Sequence, residues 1–238
     1  MNFFLFVILC LYSEKICNGY NSVDLKNLLH QLFITNEYDK NIRPNPDSTT
    51  PTQVNLDFYL CGINDLDERN QQLTTTGFLE VIWTDENLVW DDTIYNGLSH
   101  FYISQDDIWK PDLSLKNGIA KLSGFGDSFI NMDVYNTGEV MWYPFEVFET
   151  KCSVNIKYFP FDEQTCEIIF ASWMFSLESV NLTKGMNGIH LNDMEENGVW
   201  RVTSTSASEG QFNYKKSSFV FFVRREAENV KKDILKVC

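Results

Sequence analysis

The chain has 238 residues, 19 basic against 33 acidic side chains, a formal net charge of −14 and 44% hydrophobic residues. That length accommodates one large domain or two small ones, with enough core to fold without a cofactor. The acidic balance argues against nucleic acid or anionic lipid as partner and favours solubility, with a weak attraction for cations.

The opening "MNFFLFVILCLYSEKICNG" holds an apolar run of about ten residues, long enough for a secretory leader and short of the roughly 20 that span a bilayer. No Lys or Arg precedes the run, a departure from the usual leader. Residues 1–19 are expected to be a signal peptide, cut between Ser13 and Tyr20. Next, "NSVDLKNLLHQLF" sets Leu25, Leu28, Leu29, Leu32 and Phe33 at helical spacing. Asn21 or Ser22 can cap that helix and Asp24 sits in its first turn. The Pro/Thr loop "NIRPNPDSTTPTQ" cannot continue it.

Strand patterns dominate from there on. Val54, Leu56, Phe58 and Leu60 alternate with Gln53, Asn55, Asp57 and Tyr59, giving one buried and one wetter face. "LTTTGFLEVIW", "SFINMDVYNTGEVMW", "CEIIFASW", "VWRVTSTS" and "SSFVFFVRR" are β-branched and aromatic, broken by turns such as Asn136-Thr-Gly138. Short strands at this spacing predict an antiparallel β-sandwich behind an N-terminal α-helix, without repeat or domain boundary. The tail "EAENVKKDILKVC", residues 226–238, is too charged to enter a membrane.

Catalytic signals are poor. His30, His100 and His190 lie far apart without metal-ligand spacing, and no nucleophile elbow, P-loop or zinc-protease motif occurs. Acidic groups such as Asp65, Asp67 and Glu68 read as solvated turns. Neither enzyme activity, cofactor nor metal is expected. Asn181-Leu-Thr183 is a glycosylation sequon expected on a surface loop. Beyond the leader stand Cys61, Cys152, Cys166 and Cys238, an even count without CxxC spacing, which in an exported chain suggests disulfides.

The most specific string is Cys152, six residues, Phe159-Pro160-x-Asp162, three residues, Cys166. As a bare pattern it reads as a stapled hairpin worth on the order of 3 kcal/mol through restriction of the unfolded chain. It also resembles the signature of Cys-loop receptors, the pentameric ligand-gated ion channels. Trp83-x-Asp85-x-x-Leu88-x-Trp90, the Trp109, Pro111, Asp112 element and "NTGEVMWYP" match that family in order, so the resemblance covers residues 20–225. With a charged tail where channels carry membrane helices, the chain is most similar to the soluble acetylcholine-binding proteins of invertebrates.

The resemblance implies a Cys152–Cys166 bridge, a homopentamer or heteropentamer, and a small organic ligand held between protomers by aromatic rings, whose faces attract ammonium groups. On the principal side Trp173 and Tyr214 match ring positions. A tyrosine position is replaced by Lys116, another falls near Ser206, and the vicinal cysteine pair is missing, so the loop C flap should be short. On the complementary side Phe78, Met141, Tyr143 and Asp133 match pocket positions, and Glu80 stands where carboxylate-binding receptors carry arginine. Glu80 therefore disfavours amino-acid transmitters and favours a cationic or amphipathic ligand. Lys116 pulls the other way, and could meet Glu80 across the protomer interface or reach into solvent. Cys61 and Cys238 could pair within the chain, or Cys238 could cross-link protomers. The expected product is a secreted ligand-binding ring, with no membrane insertion of the mature chain. Alternatives are the ectodomain of a true channel subunit, a ring-forming accessory protein with a decayed pocket, or binding elsewhere in the ring.

Overall fold

The computed structural model describes residues 21–45, 50–159, 161–195, 198–212 and 216–227. The leader, Tyr214 and Cys238 lie outside these residues. Helix α1 (Ser22–Leu29) starts where the side chain of Asn21 accepts the Val23 and Asp24 amides while Asp24 receives the Asn21 amide, a reciprocal capping box. The helix continues with wider turns through His30–Thr35. Leu28 and Leu32 are fully buried, and Leu25, Leu29 and Phe33 pack beside them, as the spacing predicts.

Among the described residues eleven strands follow: β1 (Thr52–Asp67), β2 (Gln72–Val89), β3 (His100–Ser104), β4 (Leu113–Leu115), β5 (Asn131–Tyr135), β6 (Thr137–Trp142), β7 (Phe145–Lys151), β8 (Glu163–Ser172), β9 (Val180–His190), β10 (Trp200–Phe212) and β11 (Lys216–Ala227). They form two sheets. The larger runs β3-β5-β6-β2-β1-β9, with β7 also paired to β2; the smaller runs β10-β11-β8-β4. The core lies between them, where Phe58 of β1, Phe148 of β7 and Phe170 of β8 meet edge-on or tilted at 5.3 to 5.8 Å.

The architecture is mostly β with an N-terminal helix, as expected, and the sandwich is antiparallel with one exception. Strand β9 pairs with β1 in parallel, Thr52 opposite Val180 and Tyr59 opposite His190. Such a long-range parallel pairing leaves no hairpin signal in the sequence. Two glycines shape the sheet that matters below. Gly138 takes φ +82 at the start of β6, just past the β5–β6 turn, and a Cβ on Gly77 would stand 2.3 Å from the Tyr59 carbonyl. β1 and β2 therefore approach closely beside Phe78 only because residue 77 has no side chain.

Candidate ligand-binding faces

The Cys152–Cys166 bridge is formed, with both cysteines buried and their Cα atoms 5.0 Å apart. Inside the loop, buried Gln164 bonds the backbone of Asn155 in both directions at 2.9 Å and donates to buried Asp162. The Asp of the signature thus acts inward, as a loop clasp. Ile156, Tyr158, Phe159 and Phe161 turn outward, each at least 62% exposed.

Strand β8 leaves the bridge and ends at Ser172, so Trp173 emerges just past the strand. Asp112 fixes that exit. Its carboxylate accepts from Ser172 Oγ at 2.5 Å and from the Met174 amide, and its carbonyl accepts the Trp173 N–H at 3.3 Å. Trp173 is 42% exposed, which removes the possibility of a core tryptophan. Lys116 is brought beside it. Its backbone N–H bonds the Ile169 carbonyl at 2.7 Å, and Asn117 bonds Glu167 and Ile169. Lys116 and Trp173 line one cavity of about 320 Å³ with Leu122, Glu149 and the Phe148 side. Strands β10 and β11 form the expected hairpin, with Ser206 opposite Phe222 and Phe212 opposite Lys216. Its turn, which carries Tyr214, lies outside the described residues. Glu209 accepts the Lys184 N–H at 2.8 Å and ties the hairpin to β9.

The second face lies on the other sheet. Antiparallel register sets Asp57 opposite Glu80 and Tyr59 opposite Phe78. The alternation of strand faces then points all four away from the core. Tyr59 is stacked between Phe78 at 4.5 Å and His190 at 4.1 Å, both nearly parallel to it. Tyr143 meets Phe78 edge-on at 6.4 Å. Glu80 is held by two phenols: Tyr143 donates to Oε1 at 3.2 Å and Tyr59 to Oε2 at 3.4 Å. Burial, and then the Glu80 charge, raises both phenol pKa values, Tyr143 to about 12. Met141 Sδ lies 3.5 Å from the Tyr143 oxygen, and Asp133 is paired with Met141 across β5 and β6.

The residues expected on the complementary side therefore do come together, while Trp173 and Lys116 line a separate cavity. Tyr59, Asp57 and His190 belong to the second face and were not singled out from sequence. The alternation along β1 already placed Asp57 and Tyr59 on its wetter face; nothing local connects them to His190. One expectation needs correction, and the Cys61–Cys238 pairing falls partly outside the described residues. The Asn181 sequon sits on β9 rather than a loop, its amide donating to Gln53 at 2.8 Å, with Thr183 bonded to Asn55 at 2.6 Å. Cys61 carries a free thiol, raised in pKa mainly by burial, and Cys238 lies outside the described residues.

A family profile described as the neurotransmitter-gated ion-channel ligand binding domain matches residues 25–227. The chain is 29% identical over 213 residues to neuronal acetylcholine receptor subunit alpha-6 of Rattus norvegicus, covering 85% of this chain and 42% of that protein. It is 30% identical over 218 residues to acetylcholine receptor subunit beta-like 1 of Drosophila melanogaster, covering 86% and 40%. Ligand-gated ion channel 4 of Caenorhabditis briggsae is 35% identical over 190 residues, covering 76% and 30%. The chain thus spans less than half the length of each of these relatives.

Proposed function

The chain belongs to the neurotransmitter-gated ion-channel ligand-binding domain family, and on that premise we propose that it binds a small organic cation between neighbouring protomers of a five-membered ring. The observation that carries this reading is the division of the candidate residues between two faces. Trp173 offers an exposed ring at the end of β8, while Phe78, Tyr59, Tyr143 and Glu80 form an aromatic wall with one carboxylate on β1, β2 and its neighbour. A head-to-tail contact sets the first face of one protomer against the second face of the next. Acetylcholine receptors among the relatives are consistent with an ammonium ligand. Lys116, which lines the cavity of the indole, would extend either towards Glu80 of a neighbour or into bulk water.

Intrinsic tryptophan fluorescence, titrated with a panel of protonated amines and with glycine, tests the proposal. An amine should quench saturably and glycine should not. Trp173→Ala should weaken the amine by about 2 kcal/mol, the worth of a desolvated cation–π contact. Amine binding indifferent to Trp173→Ala would contradict it.

The form in which the domain is displayed has two readings. One is a secreted ring. The Cys-loop tip favours the second, a channel subunit: Phe159 and Phe161 are each 70% exposed beside Ile156 and Tyr158, an apolar patch that a membrane-domain partner would cover. Fractionation of expressing cells separates them, with recovery in the medium supporting the first and retention in membranes the second.

A further inference from the structure

The second face carries an acceptor that a ring cage alone would not need. Glu80 faces a cavity of about 590 Å³ shared with Asp57, Glu139, Lys184 and His190. A carboxylate offers about four acceptor positions. The two phenols use one on each oxygen, and both of their bonds are long for O–H···O. No Lys or Arg of the described residues forms an ion pair with Glu80. The carboxylate is nevertheless held firmly, because Tyr59 is clamped between two rings and Tyr143 leans on one of them. Deeper in the same cavity Asp57 accepts the Gly188 amide through Oδ1 at 2.6 Å. Its Oδ2 lies 3.7 Å from His190 Nε2, too far for a hydrogen bond, and that buried nitrogen has no hydrogen-bond partner among the described residues. The cavity therefore presents oriented acceptors and a carboxylate excess, with Lys184 the one lysine among its described lining residues.

We propose that this face selects cations that carry N–H bonds, primary or secondary ammonium and guanidinium groups, over quaternary ammonium. The inference rests on the interface reading above and names the ligand class of that site. Ring faces attract any cation and scarcely distinguish the two kinds. A fixed carboxylate does distinguish them, since an N⁺–H···O⁻ bond is about twice as strong as a neutral one. A trimethylated head cannot make that bond, and it would cover Glu80 while leaving its acceptor positions unfilled. Sites built to hydrogen-bond a ligand reject analogues that lack the donor for this reason.

Isothermal titration of the assembled full chain with phenethylamine and its N,N,N-trimethyl derivative is the test, run on wild type, Glu80→Gln and Trp173→Ala. Wild type should prefer the primary amine by about tenfold or more. Glu80→Gln keeps the side-chain volume and should erase most of that preference, chiefly by weakening the primary amine. Trp173→Ala should weaken both compounds. Equal affinities in wild type, or a preference that survives Glu80→Gln, overturn this inference and leave the interface site standing. Equal weak binding that Lys116→Ala turns into a preference also overturns it for the native ring, assigning Glu80 to an ion pair between protomers. The absence of binding by either compound overturns the interface reading and this inference with it. Equal affinities in wild type decide without any variant; should Glu80→Gln assemble poorly, Tyr143→Phe, which removes one phenol from Glu80, is the second probe and should change the preference.

Discussion

Around Trp173, one carboxylate does the positioning. Asp112 binds Ser172 and Met174 on either side of the tryptophan, and its own carbonyl receives the tryptophan amide. Asp112→Ala should release the segment, leaving a hydroxyl and an amide without their acceptor. Hydrogen bonds to a charged group contribute about 1.5–3 kcal/mol, so amine affinity in the fluorescence titration should fall by about tenfold or more even though Asp112 is offered as no ligand contact. Unchanged affinity would show that Trp173 keeps its place without the clasp. Trp173 was singled out because the covalent loop fixes its register, Phe78 and Tyr143 because they fall at pocket positions of the family it resembles, and Glu80 because it shares the strand face of Phe78. Tyr59 was read only as one of the wetter β1 positions, and His190 as an isolated histidine. Their 4.1 Å stack depends on β1 meeting β9, a contact no local pattern encodes.

Among the elements, α1 is held to the sandwich by more than its apolar stripe. Tyr38, in the loop after the helix, donates to Asp85 of β2 at 2.7 Å and accepts the Trp109 amide at 3.0 Å. Burial, followed by the Asp85 charge, raises the Tyr38 phenol pKa. Asp85 is also raised, by burial, against the bonds from Tyr38 and Asn87 that favour its charged form. A carboxyl with a folded pKa above its unfolded value of about 3.9 holds its proton more tightly in the native state. Its contribution is then fullest below about pH 4 and diminishes as pH rises through the folded value. The stability difference between wild type and Asp85→Asn, followed by thermal melting from about pH 4 to 7, should therefore shift against wild type as pH rises. A constant difference would mean that the carboxyl is not destabilised by its burial. The helix itself could be read from leucine spacing and an Asn cap. β7 could not, because its Phe145 and Val147 are exposed while Phe148 is buried, which blurs the alternation that marks a half-buried strand.

For the molecule as a whole, Trp173 and Lys116 follow strands of the smaller sheet and line one cavity, while Phe78 and Glu80 lie on the larger sheet and Glu80 lines another. On the proposed reading a single chain carries two half-sites, and binding emerges only when copies meet. The sequence carried the separate halves through motif order and spacing; it holds no symmetry signal for the ring, because a head-to-tail interface need not repeat within one chain. A cryo-electron map of the purified protein with phenethylamine addresses the central claim directly. A closed ring is expected, with ligand density between Trp173 of one protomer and the Phe78, Glu80 and Tyr143 wall of the next. A monomer, or a ring in which Trp173 faces solvent away from its neighbour, would contradict it.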